Sequence, residues 1–383
     1  MKKINKLFLL LTMAIATISL ISSCSKKDDL VNNGVPSIKY VRVTNPESSD
    51  SLLVGASQGK LIAIVGENLQ DAVQVWFNDK QANLTPTYVT PTSILVSVPS
   101  PIPVVISNKL KIFFANGDSL LYNFEVQISK PVVSSMVCEY GNVGDVVTIR
   151  GDYFYMPLTV KFAGGVTGQL ESVEDKIIRV RVPAGAQPGP VVVTTNFGVT
   201  ESDFWFRDNR NIFISSDPFE GWWDPSYVVT NPGPTDPPKI SGNYIRVTKS
   251  FGEWSWNEIA GGPATAMPLQ SKNVPDAAIL KPADYNLKFE VNTIKPYNAS
   301  IIRINVGLTS QDNNAYQWQP PYDTKGQWQT VIIPFEDVVA SYSVKPVINP
   351  EGYWTRILIQ GPGVLDADIC LDNFRVVPKV NKK

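Results

Sequence analysis

At 383 residues the chain is long enough for two to four domains of roughly 100 to 200 residues each. Its 34 basic and 35 acidic residues nearly cancel and charged residues are only 18%, which excludes a basic nucleic-acid binder and an acidic disordered chain. Histidine is absent, so Ser-His-Asp and Cys-His nucleophilic sites and imidazole-ligated zinc are excluded too, while 30 prolines and 25 glycines beside nine tryptophans describe a turn-rich, aromatic-rich β protein.

Residues 1–23 read as a secretory signal: Lys2, Lys3 and Lys6 precede an apolar run from Leu7 to Ile21. That run is shorter than the roughly 20 residues needed to span a bilayer core, so it is an h-region and not a stable membrane helix. Its end, ISSC, resembles the lipobox of bacterial lipoproteins, which implies that Cys24 becomes a lipidated N-terminus. The charged SKKDDL that follows resembles an outer-face sorting signal, and residues 24–34 read as a tether. The resemblance thus places the protein on the outer membrane, lipid-anchored and facing the exterior.

Two copies of one unit follow, over residues 35–129 and 130–207. LIAIVGENLQDAVQVWFNDKQA from Leu61 overlays VVTIRGDYFYMPLTVKFAGGVT from Val146 at an offset of 85, which puts Gly66 on Gly151, Leu69 on Phe154, Val75 on Val160 and Phe77 on Phe162. Short β-branched runs broken by Gly, Pro and Asn predict a Greek-key sandwich in each copy. The order of apolar strand, Gly-x-x-aromatic or Leu, VxF and a strand ending in VP resembles the immunoglobulin-like TIG/IPT domain, which implies a spacer role. Trp76 and Trp205 in these copies are expected to be packing residues. Cys138 and Cys370 are expected in different domains, as small buried apolar side chains and not as a disulfide.

Residues 208–383 hold seven of the nine tryptophans, more than a core of this size needs. The runs YIRVTKSF, NLKFEVNTI, SIIRINVGL, WQTVIIPF, TRILIQG and ICLDNFRVV are strand-like and predict a larger jelly-roll-like β-sandwich. DYNLKFEVN, GQWQTVIIPFEDV and DICLDNFRVV resemble the middle and closing strands of carbohydrate-binding modules. With the lipobox, the TIG/IPT-like copies and the segments FEGWWDPS and GEWSWNE, the chain resembles the surface glycan-binding lipoproteins of bacterial polysaccharide-utilisation systems, of the type with a final xyloglucan-binding domain. The all-β fold implied is two tandem immunoglobulin-like sandwiches followed by a carbohydrate-binding β-sandwich. The function implied is non-catalytic capture of a polysaccharide, a β-glucan such as xyloglucan, for a neighbouring outer-membrane transporter.

Tryptophan suits that task because a pyranose presents apolar C–H groups to the negative face of an indole while its equatorial hydroxyls stay free. Burying about 80 Å² of apolar surface per stacked sugar contributes roughly 2 kcal/mol. Trp254 and Trp256, one residue apart, would share a face if the segment is extended, at a spacing of roughly 6.6 Å. Trp222 and Trp223 would face opposite ways on a strand, with Trp223 slightly favoured as a platform. Trp318, in the polar, proline-rich NNAYQWQPPY, is a further platform candidate, Trp328 is expected in the core, and Trp354 and Tyr353 are undecided. Asn257, Glu258, Arg303 and Gln319 are candidate partners for sugar hydroxyls. Asp366, Asp368 and Asp372 could hold the structural calcium of some similar jelly rolls, but no metal or cofactor is needed for the function. A glycoside hydrolase or lyase using Glu220 and Glu258 is the alternative that the missing histidine leaves open, and a protein-binding adhesin is a third.

Overall fold

A computed structural model describes residues 34–48 and 50–379; the signal segment, Cys24 and most of the tether lie outside them. Strands dominate the described residues, which divide into two compact units with the boundary between 128 and 129.

In the first unit a three-stranded sheet, ordered Ser37–Val43, Leu61–Glu67, Ser93–Ser97, faces a four-stranded one, ordered Lys80–Gln81, Ala72–Phe77, Lys109–Phe114, Ser119–Asn123. Alternate residues enter the core, among them Ile62, Ile64, Val75, Phe77, Leu110 and Ile112. Phe77 is therefore buried while its neighbour Trp76 is only half-buried, its indole N–H donating to Gln74 Oε1 at 2.9 Å.

The second unit begins with the other repeat. Its sheets are Val132–Met136, Val146–Asp152, Ile177–Arg181, Gln169–Glu174 and Leu158–Ala163, Gln187–Thr195, Gly198–Phe206. The aligned glycines have one structural reason. A Cβ at Gly66 would lie 1.9 Å from the Ser37 carbonyl oxygen and one at Gly151 1.8 Å from that of Val132, so both repeats need glycine where the first strand crosses the second. Trp205 is half-buried under the guanidinium of Arg210, 3.6 Å from the ring centroid.

The remainder is a sandwich of two sheets. The larger runs Val228–Val229, Tyr244–Phe251, Leu365–Pro378, Tyr285–Thr293, Gln329–Pro334, with Ile212–Ile214 pairing against Leu365–Pro378. The smaller runs Asn257–Gly262, Trp354–Ile359, Ile302–Leu308, Tyr316–Trp318. Between them lie Leu287, Phe289, Val291, Ile302, Ile304, Ile357 and Phe374, closed at one end by short helices at Asp276–Leu280 and Phe335–Ala340.

The outer face of the larger sheet is covered by the preceding repeat. Glu139 is buried there and receives Lys288 Nζ at 2.6 Å and Arg375 Nη2 at 2.8 Å, and Arg375 also holds Glu290 at 2.7 and 2.9 Å. Thr330 donates its hydroxyl to Glu290 at 3.0 Å and accepts the Glu139 backbone N–H at 2.8 Å. Burial alone would lower the Arg375 pKa, but the carboxylates of Glu290 and Glu139 and the Tyr140 hydroxyl hold it well above the usual arginine value. Beside this network Tyr140, Ile240, Tyr244, Trp328 and Cys370 form one apolar cluster, with Cys138 against it. Trp328 is thus buried between the repeat and the last sandwich, not between that sandwich's sheets, and its indole N–H donates to the Pro238 carbonyl at 2.9 Å. Cys138 and Cys370 come from separate sandwiches but meet in this single cluster as free thiols, both pushed up in pKa by burial.

The three aspartates weighed as calcium ligands are engaged elsewhere. Asp366 pairs with Lys295 at 2.7 Å, Asp368 takes Arg246 through two bonds of 2.9 Å, and Asp372 accepts from Asn373. Among the described residues no group of three or more acidic or cysteine side chains is placed to hold a metal.

Candidate functional site

The smaller sheet's outer face is built by strand alternation. In WTRILI the residues Thr355, Ile357 and Ile359 are buried and the last two reach the core, so Trp354, Arg356 and Leu358 project outward. Cross-strand register sets Asn305 and Gly261 beside Arg356, and Arg303 and Glu258 beside Leu358.

Two exposed indoles roof this face, and each rests on a buried support. Trp256, 47% exposed, has the Arg356 guanidinium 5.2 Å from its ring centroid and donates its N–H to Glu258 Oε1 at 2.8 Å. Arg356 is fully buried and fixed by Asn305 Oδ1 at 2.8 Å and the Asp312 carbonyl at 3.0 Å. Trp222, 62% exposed, packs edge-on against buried Trp354 with centroids 5.3 Å apart, and Trp223 completes the trio at 6.2 and 6.1 Å.

The Trp222 segment reaches that position because of two glycines. Its N–H donates to the Gly261 carbonyl at 3.0 Å, and a Cβ at Gly221 would lie 2.2 Å from the same oxygen. A Cβ at Gly261 would in turn meet the Thr355 carbonyl oxygen at 2.4 Å, and both glycines hold positive φ, +117° and +103°. The two supported platforms therefore both lie along edge strand Asn257–Gly262, Trp222 bonded at Gly261 and Trp256 immediately before Asn257, over supports two residues apart on the neighbouring strand.

Polar atoms with unmet hydrogen-bonding capacity concentrate on this face. Of seven buried side-chain atoms lacking a partner among the described residues, four are here: Glu258 Oε2, Arg303 Nε, Arg356 Nη1 and Trp354 Nε1. Burial raises the Glu258 pKa, opposed by the Trp256 indole N–H and by Arg356.

Several expected site residues lie elsewhere. Trp254 is 55% exposed but sits at φ +55° in the turn Gly252–Ser255, so it does not share an extended face with Trp256. Trp222 and not Trp223 is the more exposed of the adjacent pair. Trp318 is buried in the core, stacked 5.2 Å from Tyr297 and edge-on to Phe289, because the strand Tyr316–Trp318 turns it inward despite its polar neighbours. Asn257 folds its amide onto Ser255, whereas Glu258 and Arg303 lie on the face and Gln319 lies beyond its last strand, beside Gln317. Tyr353 is buried and donates its hydroxyl to Asp276 Oδ1 at 2.5 Å. Glu220 accepts the backbone N–H groups of Leu269 and Gln270 at 3.1–3.2 Å, so its carboxylate ties down a loop.

Sequence reasoning missed Arg356, Asn305 and the supporting role of Trp354. The available signal was the single arginine at an outward position of the otherwise apolar strand around WTRILI.

An all-β chain whose final sandwich carries a roof of supported tryptophans above hydrogen-bonding groups is, as a class, a carbohydrate-binding architecture. Residues 206–378 match the family described as surface glycan-binding protein B xyloglucan binding domain, and residues 131–207 match the IPT/TIG domain family. The two matched regions adjoin, so the chain is similar to a surface glycan-binding protein B xyloglucan binding domain preceded by an IPT/TIG domain. It is similar to the crystal structure of a surface glycan-binding protein from Prevotella bryantii, with 26% identity and a TM-score of 0.67 over 91% of this chain and 99% of that one. It is also 30% identical over 157 residues to an IPT/TIG domain-containing protein of Bacteroides ovatus; the match covers 39% of this chain and 31% of that relative, about a third of its length.

Proposed function

We propose that this protein binds a polysaccharide at the cell surface without cleaving it, through the outer face of the smaller sheet, and that the glycan is a β-glucan of the xyloglucan type. The observation that carries this reading is the pair of exposed indoles, Trp222 and Trp256, each held rigid by a buried support beside polar atoms with unmet bonding capacity. A platform already fixed loses little freedom when a sugar stacks on it. Two platforms at roughly 2 kcal/mol each, before ordering costs, correspond to weak, reversible capture. The xyloglucan assignment is supported by the description of the family matched by residues 206–378.

Non-catalytic action is supported by the engagement of Glu220 in loop backbone bonds, which leaves Glu258 without the second carboxylate that the hydrolase alternative invoked. The boundaries 35–129, 130–207 and 208–383 form part of the same proposal, as do lipid anchoring at Cys24, an outward-facing outer-membrane position and hand-over of glycan to a neighbouring transporter. Affinity electrophoresis of the protein through gels containing xyloglucan, mixed-linkage glucan or an unrelated polysaccharide tests the function. Retardation by the β-glucans without release of reducing ends supports it, and either unaltered migration in every gel or turnover contradicts it.

A further inference from the structure

Trp256 meets solvent with nearly half its surface, yet its ring is held from beneath by a pair of charges. Its indole N–H donates to Glu258 Oε1 at 2.8 Å, and the Arg356 guanidinium lies 5.2 Å from the ring centroid. Arg356 Nη1 is 3.8 Å from the same Glu258 oxygen, so indole, carboxylate and guanidinium close a triangle beneath the platform. Trp256 lies one residue outside strand Asn257–Gly262, so this triangle, and not the sheet ladder, sets the direction of its ring.

Only the charged form of Glu258 fits the triangle. An indole N–H and a guanidinium are donors with no acceptor site, so both neighbours can bond a carboxylate oxygen and neither can accept the O–H of a neutral acid. The other carboxylate oxygen, Oε2, is buried and has no hydrogen-bond partner among the described residues, and neither has Arg356 Nη1. A proton on Glu258 therefore finds no acceptor in the triangle, turns a charge-assisted bond to Trp256 into a neutral one and leaves Arg356 without its ion-pair partner.

The surroundings nevertheless favour that proton. The Glu258 side chain is only 13% exposed, and burial raises its pKa above the ordinary carboxylate value against the pull of the Trp256 indole and Arg356. On the neighbouring elements the charged groups are Arg356 itself, Arg303 one strand further on and Asp312 in the loop after it, the last two acting on Arg356. Glu253 in the preceding turn is exposed, and Glu220, on the segment that carries Trp222, is committed to the Leu269 and Gln270 backbone. The Trp222 platform rests instead on the uncharged ring of Trp354.

We infer that Glu258 is the positioning residue of the Trp256 platform and that loss of its charge loosens the ring, so that glycan affinity falls as the medium acidifies. This inference rests on the glycan-binding reading above and adds the regulation of that site. Linkage gives it a second signature: a site that binds glycan better in its charged form must release protons on binding wherever Glu258 titrates. The Trp222 platform carries the affinity that remains in acid.

The test is titration calorimetry of the full chain with a xyloglucan oligosaccharide, from neutral pH down into the ordinary carboxylate range, on wild type, Glu258→Gln and Trp256→Ala, with thermal melting to confirm folding at each pH. Wild type should bind about 3- to 5-fold more weakly at the acid end, within the difference between a charge-assisted and a neutral hydrogen bond, and its heats in buffers of different ionisation enthalpy should show proton release along the transition. Glu258→Gln keeps an acceptor for the indole without the charge, so its affinity should be below wild type at neutral pH, independent of pH and free of proton release. Trp256→Ala should bind more weakly than wild type at neutral pH and equally at every pH. A wild-type affinity that stays flat with pH would overturn the inference and leave glycan binding intact, and so would a Glu258→Gln variant that keeps the wild-type profile. The wild-type profile decides by itself if a variant fails to fold. A wild-type protein that binds the oligosaccharide at no pH sinks the glycan-binding reading and the regulation with it.

Discussion

The last sandwich has two outer faces made from the same residue types, and they have opposite fates. On the larger sheet Arg375, Glu290, Lys288 and Trp328 are covered by Glu139 and Tyr140 of the preceding repeat, and each charge finds an oppositely charged partner. On the smaller sheet Arg356 and Glu258 pair at 3.8 Å beneath the exposed indoles of Trp256 and Trp222, and among the described residues four polar atoms there have no hydrogen-bond partner. Tryptophan, arginine and glutamate alone therefore do not mark a site. What distinguishes the two faces is that one is covered by the preceding repeat, whereas the indoles of the other stay exposed.

The largest effects should follow from disturbing the covered face. Glu139→Ala removes the partner of both Lys288 and Arg375 and leaves buried charge uncompensated, so it should cost about 3–5 kcal/mol of folding stability. Equilibrium denaturation measures this, and a loss below about 1 kcal/mol would show that water enters the cluster and that the face is not truly covered. The same cluster predicts that a fragment of residues 208–383 melts well below one of residues 129–383, because the cut bares Trp328, Arg375 and Glu290 together. Equal midpoints would mean that the repeat contributes nothing to the stability of the last sandwich.

Smaller effects should sharpen the description of the open face. Trp222→Ala should weaken glycan binding by about 1–2 kcal/mol, the worth of one platform after ordering costs, and Trp223→Ala should weaken it less because its ring is mostly engaged with Trp222 and Trp354. Titration calorimetry on both variants decides the order, and a larger loss at Trp223 would move the platform.

The smallest effect concerns Glu258. Its pKa is raised by burial in the folded protein, so the unfolded chain loses this proton first and stability falls as pH rises from the ordinary carboxylate range through the raised value. Glu258→Gln keeps an acceptor for the Trp256 indole and removes the titration. Relative to wild type the variant should therefore gain stability as pH rises from the ordinary carboxylate range through the raised value. A difference that is constant, or that moves the other way, would show that Arg356 and the indole outweigh burial.

The features legible in the sequence were those carried by local pattern. The repeat was visible because Gly66 and Gly151 answer the same steric demand, and strand-like runs such as NLKFEVNTI and SIIRINVGL predicted an all-β sandwich at the end of the chain. The concentration of tryptophans pointed to the domain whose smaller sheet carries the exposed indoles Trp222 and Trp256. What was not legible depends on contacts distant along the chain. Trp222 finds Trp354 across 132 positions, and Glu139 finds Arg375 across 236, with no local signal at either end. Trp318 misled because its polar, proline-rich neighbours suggest a loop, whereas three residues of strand are enough to turn it onto Tyr297 and Phe289. Trp254 misled for the converse reason: spacing of two predicts a shared face only on extended backbone, and the chain turns at φ +55° there.

Side-by-side calorimetry and thermal melting of the full chain as wild type, Trp256→Ala and Trp328→Ala, with a xyloglucan oligosaccharide as ligand, tests the central contrast most directly. Trp256→Ala should lose about 1–2 kcal/mol of affinity with its melting midpoint nearly unchanged. Trp328→Ala should lose about 3–5 kcal/mol of stability yet retain wild-type affinity in the molecules that remain folded. If instead Trp256→Ala melts early with affinity intact while Trp328→Ala folds normally and no longer binds, the covered and open faces have been assigned the wrong way round.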